Sequence, residues 1–175
     1  MSTAVTAAAP VVTARRRVPW GDIEASSVRD LYDDYAALLD AADHAAWLDL
    51  FTDDATYVTT ARENVERGLP LATMRADSRA MLADRIDALV GTQFFARRLT
   101  RRFVGSIRPV ATAAGSASIT ASFVVIEALV DEPPFVAATG VYDDEVVATP
   151  DGVRFRRKAA VYDAPLVTTS LVVPL

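Results

Sequence analysis

The feature that most constrains this chain is a change of period near Leu99. Before it, apolar residues return at helical spacing; after it come long runs rich in β-branched and apolar residues, separated by turn signals. Val28, Leu31, Tyr32, Tyr35, Leu38, Leu39 and Ala42 recur every three or four positions and mark one face of a helix, with Asp33, Asp34 and Asp40 off that stripe and expected to face solvent. Ser26 and Ser27 are the expected N-caps. Asp43 is a possible cap for a short second helix carrying Ala46, Trp47, Leu50 and Phe51, which Thr52, Asp53 and Asp54 close as a turn. Residues 55–61 (ATYVTTA) read as a strand. Residues 62–76 contain Gly68 and Pro70, show no clear period and are expected to be a long loop. Asp77 or Ser78 then caps a further helix whose core face is Met81, Leu82, the stem of Arg85, Ile86, Leu89 and Val90, and which ends at Gly91.

Four long strands are predicted over 99–110, 116–130, 135–147 and 153–162, with turns at Ala114–Gly115, 131–134 and 150–152. Alternation in the last run puts Val153, Phe155, Ala159 and Val161 on one face and Arg154, Arg156 and Lys158 on a wet one. Around Val124 to Ile126 both faces are apolar, as for a strand covered by helices on one side and by another subunit on the other. Helices first and strands afterwards predict an α+β fold, with the helices packed on one face of a curved antiparallel sheet. Residues 1–22, broken by Pro10 and Pro19 and basic at Arg15 to Arg17, are expected to be a flexible arm, leaving 23–175 as a single domain long enough to bury a real core.

Composition removes several kinds of chemistry. The chain has no cysteine and a single histidine, His44. A Rieske cluster takes two cysteines and two histidines, and a mononuclear oxygenase iron takes two histidines and a carboxylate, so the chain alone supplies the ligands of neither. A net charge of -5 disfavours a nucleic-acid partner, whose phosphates require Lys and Arg. No apolar run approaches the ~20 residues of a membrane span. The opening segment lacks the basic head and apolar block of a signal peptide, so a cytoplasmic location is expected.

No convincing active site emerges from the residues themselves. His44 lies at a helix junction among alanines, without the partner and pocket that a general base requires. The adjacent pairs Asp33–Asp34, Asp53–Asp54 and Asp143–Asp144 read as solvated caps and turns, and neighbours on a strand point to opposite faces. Isolated glycines form no phosphate loop, and no serine stands in a nucleophile elbow. The densest charge is Arg97, Arg98, Arg101 and Arg102, which fits either inter-subunit ion pairs or a solvated strand end.

Several segments, in order, resemble the small (beta) subunits of bacterial Rieske-type aromatic-ring-hydroxylating dioxygenases. They are the helix from Leu31 to Asp40 leading into Trp47-Leu48-Asp49-Leu50-Phe51-Thr52-Asp53-Asp54-Ala55-Thr56-Tyr57; the helix with Asp84-Arg85-Ile86; the basic entry to the first long strand at 97–107; the last strand at 152–163; and the apolar tail 168–175 (TTSLVVPL). Residues 68–89 and the tail are most similar to the branch acting on aromatic carboxylates, such as terephthalate, anthranilate and salicylate oxygenases. The resemblance implies a cystatin-like, nuclear-transport-factor-2-like cone and a non-catalytic, structural role. Its partners would be the oxygenase large (alpha) subunit, which would hold the Rieske [2Fe-2S] cluster and the mononuclear iron, and further copies of itself in a homotrimer. Arg97, Arg98, Arg101, Arg102 and Trp47 are the interface candidates. The same cone also hosts isomerases, dehydratases and cyclases, and fold alone does not separate them. For that alternative the acid–base candidates are Tyr32, His44, Asp54 and Tyr57.

Overall fold

The computed structural model describes residues 18–92, 98–164 and 173–175; Arg97 and most of the predicted arm lie outside them. The elements run α1 (Ala25–Asp40), α2 (His44–Leu48), β1 (Phe51–Ala61), α3 (Arg62–Glu66), β2 (Met74–Ala76), α4 (Arg79–Thr92), β3 (Arg98–Ala113), β4 (Ser116–Leu129), β5 (Phe135–Thr149) and β6 (Gly152–Tyr162). The strands form one six-stranded sheet in the order β2-β1-β6-β5-β4-β3. From β3 to β6 it is an antiparallel meander, whereas β1 runs parallel to β6. The helices pack on its concave side, so the molecule is an α+β cone of the predicted kind.

The stripe on α1 forms as its spacing dictates: Val28, Leu31, Tyr32, Tyr35 and Leu39 are all buried. They meet inward-facing residues of the sheet, among them Ile119, Phe123, Val125, Tyr142, Val146 and Phe155. Each fully buried large apolar side chain is worth roughly 1.5–3 kcal/mol, so this stripe is what holds the helix in the cone. Asp43 caps α2 by accepting from the Ala46 N–H (3.1 Å), and Ser78 Oγ accepts from the Met81 N–H (3.2 Å) at the start of α4. On α4, Leu82, Ile86 and Leu89 are buried, but Met81 and Arg85 are exposed.

Other expectations need correction. Helix α1 starts after Glu24, which makes no side-chain cap, so Ser26 and Ser27 lie inside its first turn. Residues 62–76 are not all loop, because α3 and β2 lie within them and β2 pairs with β1. Thr52, Asp53 and Asp54 are not a turn closing a helix. They belong to an irregular stretch of β1, where register with β6 shifts between Phe51 and Thr56.

The largest correction concerns β6. Val146 pairs with Phe155 and Glu145 with Arg157, so one step on β5 matches two on β6 and Arg156 is an inserted residue. An extra residue in one strand reverses its inside–outside phase beyond that point. Phe155 points into the cone, as expected, but Lys158, Ala160 and Tyr162 point inward as well, and Lys158 is fully buried rather than on the wet face. Gly140 marks another crowded point. A Cβ there would lie 2.1 Å from the Val161 carbonyl oxygen and 2.9 Å from the Phe123 ring.

Candidate functional site: the polar centre of the cone

Two buried ion pairs organise the interior. In the first, Asp144 on β5 accepts from Lys158 Nζ (2.9 Å), from the Ala159 backbone N–H (3.0 Å) and from the Tyr32 hydroxyl. Asp144, Lys158 and Tyr32 have no exposed surface. The ammonium lies 3.4 Å from the ring centroid of Tyr142, 4.2 Å from that of Tyr35, 4.6 Å from Phe155 and 4.9 Å from Tyr32. Ring faces carry partial negative charge, so this cage shares with Asp144 the task of compensating a cation withdrawn from water. Burial still disfavours the charge: it lowers Lys158 to about 8 against the pull of Asp144, and raises Asp144 against the pull of Lys158.

In the second pair, Asp40 at the end of α1 meets Arg102 on β3. Arg102 Nη1 donates to Asp40 (2.6 Å), the Arg102 backbone N–H donates to the other carboxylate oxygen (3.0 Å), and Thr100 Oγ1 donates to the first (3.4 Å). The Arg102 side chain is only 1% exposed. Asp40 therefore faces this arginine rather than solvent. The other guanidinium arm, Nη2, donates to the Pro174 carbonyl oxygen (2.7 Å). Beside it, the Tyr57 hydroxyl donates to the Leu175 carbonyl oxygen (2.9 Å), and the Tyr35 hydroxyl donates to the same oxygen. Burial, the leading influence on each, holds the Tyr32, Tyr35 and Tyr142 hydroxyls well above the ordinary tyrosine range and raises Tyr57 less.

Of the residues picked from sequence for an acid–base site, Tyr32 and Tyr57 are brought into this centre. Asp54 is exposed on the irregular part of β1. His44 is half-buried at the start of α2, with its pKa lowered by burial and by Arg102; its Nδ1 makes no hydrogen bond among the described residues. Sequence reasoning missed Asp144, Lys158, Asp40, Tyr35 and Tyr142. In the sequence Tyr35 reads as part of the apolar stripe of α1, Lys158 is hidden by a pattern that a bulge inverts, and Asp144 reads as half of a solvated pair.

The interface candidates also separate. Trp47 is fully buried in the aromatic core, 4.9 Å from Phe51 between ring centroids, so it meets no partner chain from there. Arg102 is committed inside the cone. Arg98 is half-buried and pairs with Glu127 (3.2 Å). Arg101 is exposed on the outer face of β3, between the exposed Leu99 and Phe103. Among the described residues, no group of three His, Asp or Glu side chains is placed to hold a metal ion. With no cysteine anywhere in the chain, its residues do not fit a Rieske cluster.

The model of the SnoaL-like domain matches residues 24–159, which span α1 to most of β6. The chain is 31% identical to the small subunit of anthranilate 1,2-dioxygenase from Burkholderia cepacia, over 74% of this chain and 80% of that one. The chain belongs to the SnoaL-like family, among the dioxygenase small subunits. A second relative is subunit beta 2 of the terminal oxygenase component of terephthalate 1,2-dioxygenase from Comamonas sp, 30% identical over 81% of this chain and 92% of that one. Among solved structures, the beta subunit assigned to an aromatic-ring-hydroxylating dioxygenase from Novosphingobium aromaticivorans superposes with a TM-score of 0.78 at 32% identity, covering 86% of this chain and 95% of that one. In this SnoaL-like domain the central ion pair of the cone, Asp144 with Lys158, has no exposed surface.

Proposed function

We propose that this SnoaL-like domain is a non-catalytic structural subunit of a cytoplasmic aromatic-ring-hydroxylating dioxygenase. It docks on a large subunit that holds the Rieske cluster and the mononuclear iron, and it self-associates as a trimer. The observation that carries the reading is where the apolar surface lies. On the outer face of the sheet, Leu99 and Phe103 of β3 are 62% and 60% exposed and Val136 of β5 is 58% exposed. Register places Phe103 beside Val124, and Ile126 between Arg101 and Val136, so these side chains form one patch. A contiguous exposed apolar patch on a sheet face is the mark of a surface that another chain covers, and a second copy is the occupant proposed here. The central charges, by contrast, are engaged with one another.

Aromatic carboxylates are the proposed substrate class of the assembly, because the named relatives are subunits of anthranilate and terephthalate dioxygenases. The test is co-expression with an oxygenase large subunit encoded beside this chain, where the genome carries one, followed by co-purification and mass determination. A brown complex with equal numbers of large and small subunits, three of each, is the expected result. Two chains that never associate would overturn the reading and return attention to Tyr32, Asp144 and Lys158 as candidates for chemistry.

A further inference from the structure

Residues 173–175 sit in the cone in an unusual way. Pro174 and Leu175 are buried, Leu175 to 3% exposure, yet the segment belongs to no strand or helix. Among the described residues, no backbone–backbone hydrogen bond ties it to the sheet. What holds it is a set of side-chain donors from three separate elements: Tyr35 of α1 and Tyr57 of β1 on the Leu175 oxygen, and Arg102 of β3 on the Pro174 oxygen. That is how a protein holds a ligand, with an apolar body buried and a few convergent polar groups fixing its orientation. The donors also exceed what the segment uses. The Tyr142 hydroxyl and Arg102 Nε are buried without a hydrogen-bond partner among the described residues. Buried donors left unpaired are costly, so the cluster has spare capacity for oxygen acceptors.

We propose that the cone contains a peptide-binding site, built from Tyr35, Tyr57 and Arg102, in which residues 173–175 are an internal ligand. The chemistry it recognises is a short apolar segment presenting two successive oxygen acceptors, carbonyl or carboxylate, to two phenols and a guanidinium. The site is stabilised from behind: Asp40 fixes Arg102 through two contacts, one to its backbone N–H and one to its guanidinium, and the Tyr35 ring rests against the Lys158 ammonium. Emptying the site would therefore leave its donors in position, since none of these supports comes from 173–175. The proposal is independent of the subunit role, because it concerns a site inside one protomer and holds whether or not a large subunit binds.

The test uses a variant lacking residues 173–175 and the synthetic peptide acetyl-Val-Val-Pro-Leu, as free acid and as amide. The truncated chain is expected to melt at lower temperature and to regain that loss saturably as peptide is added. A scrambled peptide should have no effect, and the intact chain should not respond because its site is filled. Tighter binding of the acid than of the amide would assign the spare donors to a carboxylate; equal binding would assign recognition to the carbonyl oxygens. A folded truncated chain that ignores both peptides, or an intact chain that binds them equally well, overturns the proposal. Should truncation prevent folding, the full-length double variant Tyr35→Phe/Tyr57→Phe decides. It keeps both rings but removes both donors to Leu175, and amide exchange at Val173 and Leu175 should rise about tenfold or more while exchange in β4 is unchanged. Unchanged exchange at those two amides would refute the site.

Discussion

The two faces of the sheet invert the usual arrangement of a globular protein. The inner face, where apolar residues are the rule, carries Lys158, Asp144, Arg102 and three tyrosines, Tyr57, Tyr142 and Tyr162, among its aromatic side chains. The outer face, where charge is the rule, presents Leu99, Phe103 and Val136. Inside, every formal charge of the two pairs has a partner in hydrogen-bond contact, and the Lys158 ammonium has four rings as well. Outside, Leu99, Phe103 and Val136 stay more than half exposed. The difference separates two kinds of constraint: the interior is specified by mutual satisfaction of its own groups, and the exterior by a surface contributed from elsewhere.

Breaking the interior should have the largest effect. Asp144→Ala leaves Lys158 buried without its carboxylate and is expected to cost about 3–5 kcal/mol in chemical denaturation. The double variant Asp144→Asn/Lys158→Met should recover most of that loss, and a double variant no more stable than Asp144→Ala would show that the ring cage, rather than the pair, sets the cost. Gly140→Ala tests the packing around this centre. Its methyl group would strike the Val161 carbonyl and the Phe123 ring, and a loss of about 1–3 kcal/mol is expected from the same measurement.

The pH dependence follows from the same burial. Lys158 titrates near 8 in the folded chain against 10.5 ordinarily. Between those values the unfolded chain binds more protons, so this group makes stability rise with pH. The buried tyrosines titrate above 10.0 when folded, so beyond that value the unfolded chain binds fewer protons and stability falls. Melting temperature should therefore climb modestly from pH 8 and then drop steeply above pH 10. Lys158→Met should abolish the climb and keep the drop. A climb that persists in this variant would assign it to another group. The smallest effect on the protomer belongs to the outer face: Leu99→Ser/Phe103→Ser should change stability by no more than about 0.5 kcal/mol, while light scattering reports loss of self-association. Full assembly of this variant would place the interface elsewhere.

These contrasts also mark what the sequence made legible. The α1 stripe, the Asp43 cap, the Ser78 cap and the four long strands could be read because each rests on local spacing or on one side chain near one backbone group. The segregation of helices from strands sufficed for the fold class. Lys158 could not be placed, because the insertion at Arg156 moves it across the sheet without leaving any local compositional mark. Asp144 looked like half of a solvated pair for a different reason: its environment is made by Tyr32 and Lys158, which lie elsewhere in the chain. Tyr32 and Tyr57 could be picked as inward tyrosines, but not their hydroxyl partners. Trp47 stood in one of the segments that carry the resemblance, and its place there, the aromatic core, is internal.

The parallel pairing of β1 with β6 has a kinetic consequence. Phe51 and Phe155 are neighbours in the finished sheet although roughly a hundred residues separate them, and closing such long loops slows folding. On the ribosome, β1 can pair with β2 early but gains its other sheet neighbour only with the last strand. A nascent chain stopped before Gly152 should thus lack Phe155 and Lys158 beside Tyr32 and Tyr35, and protection of that part of α1 from protease should rise once β6 is released.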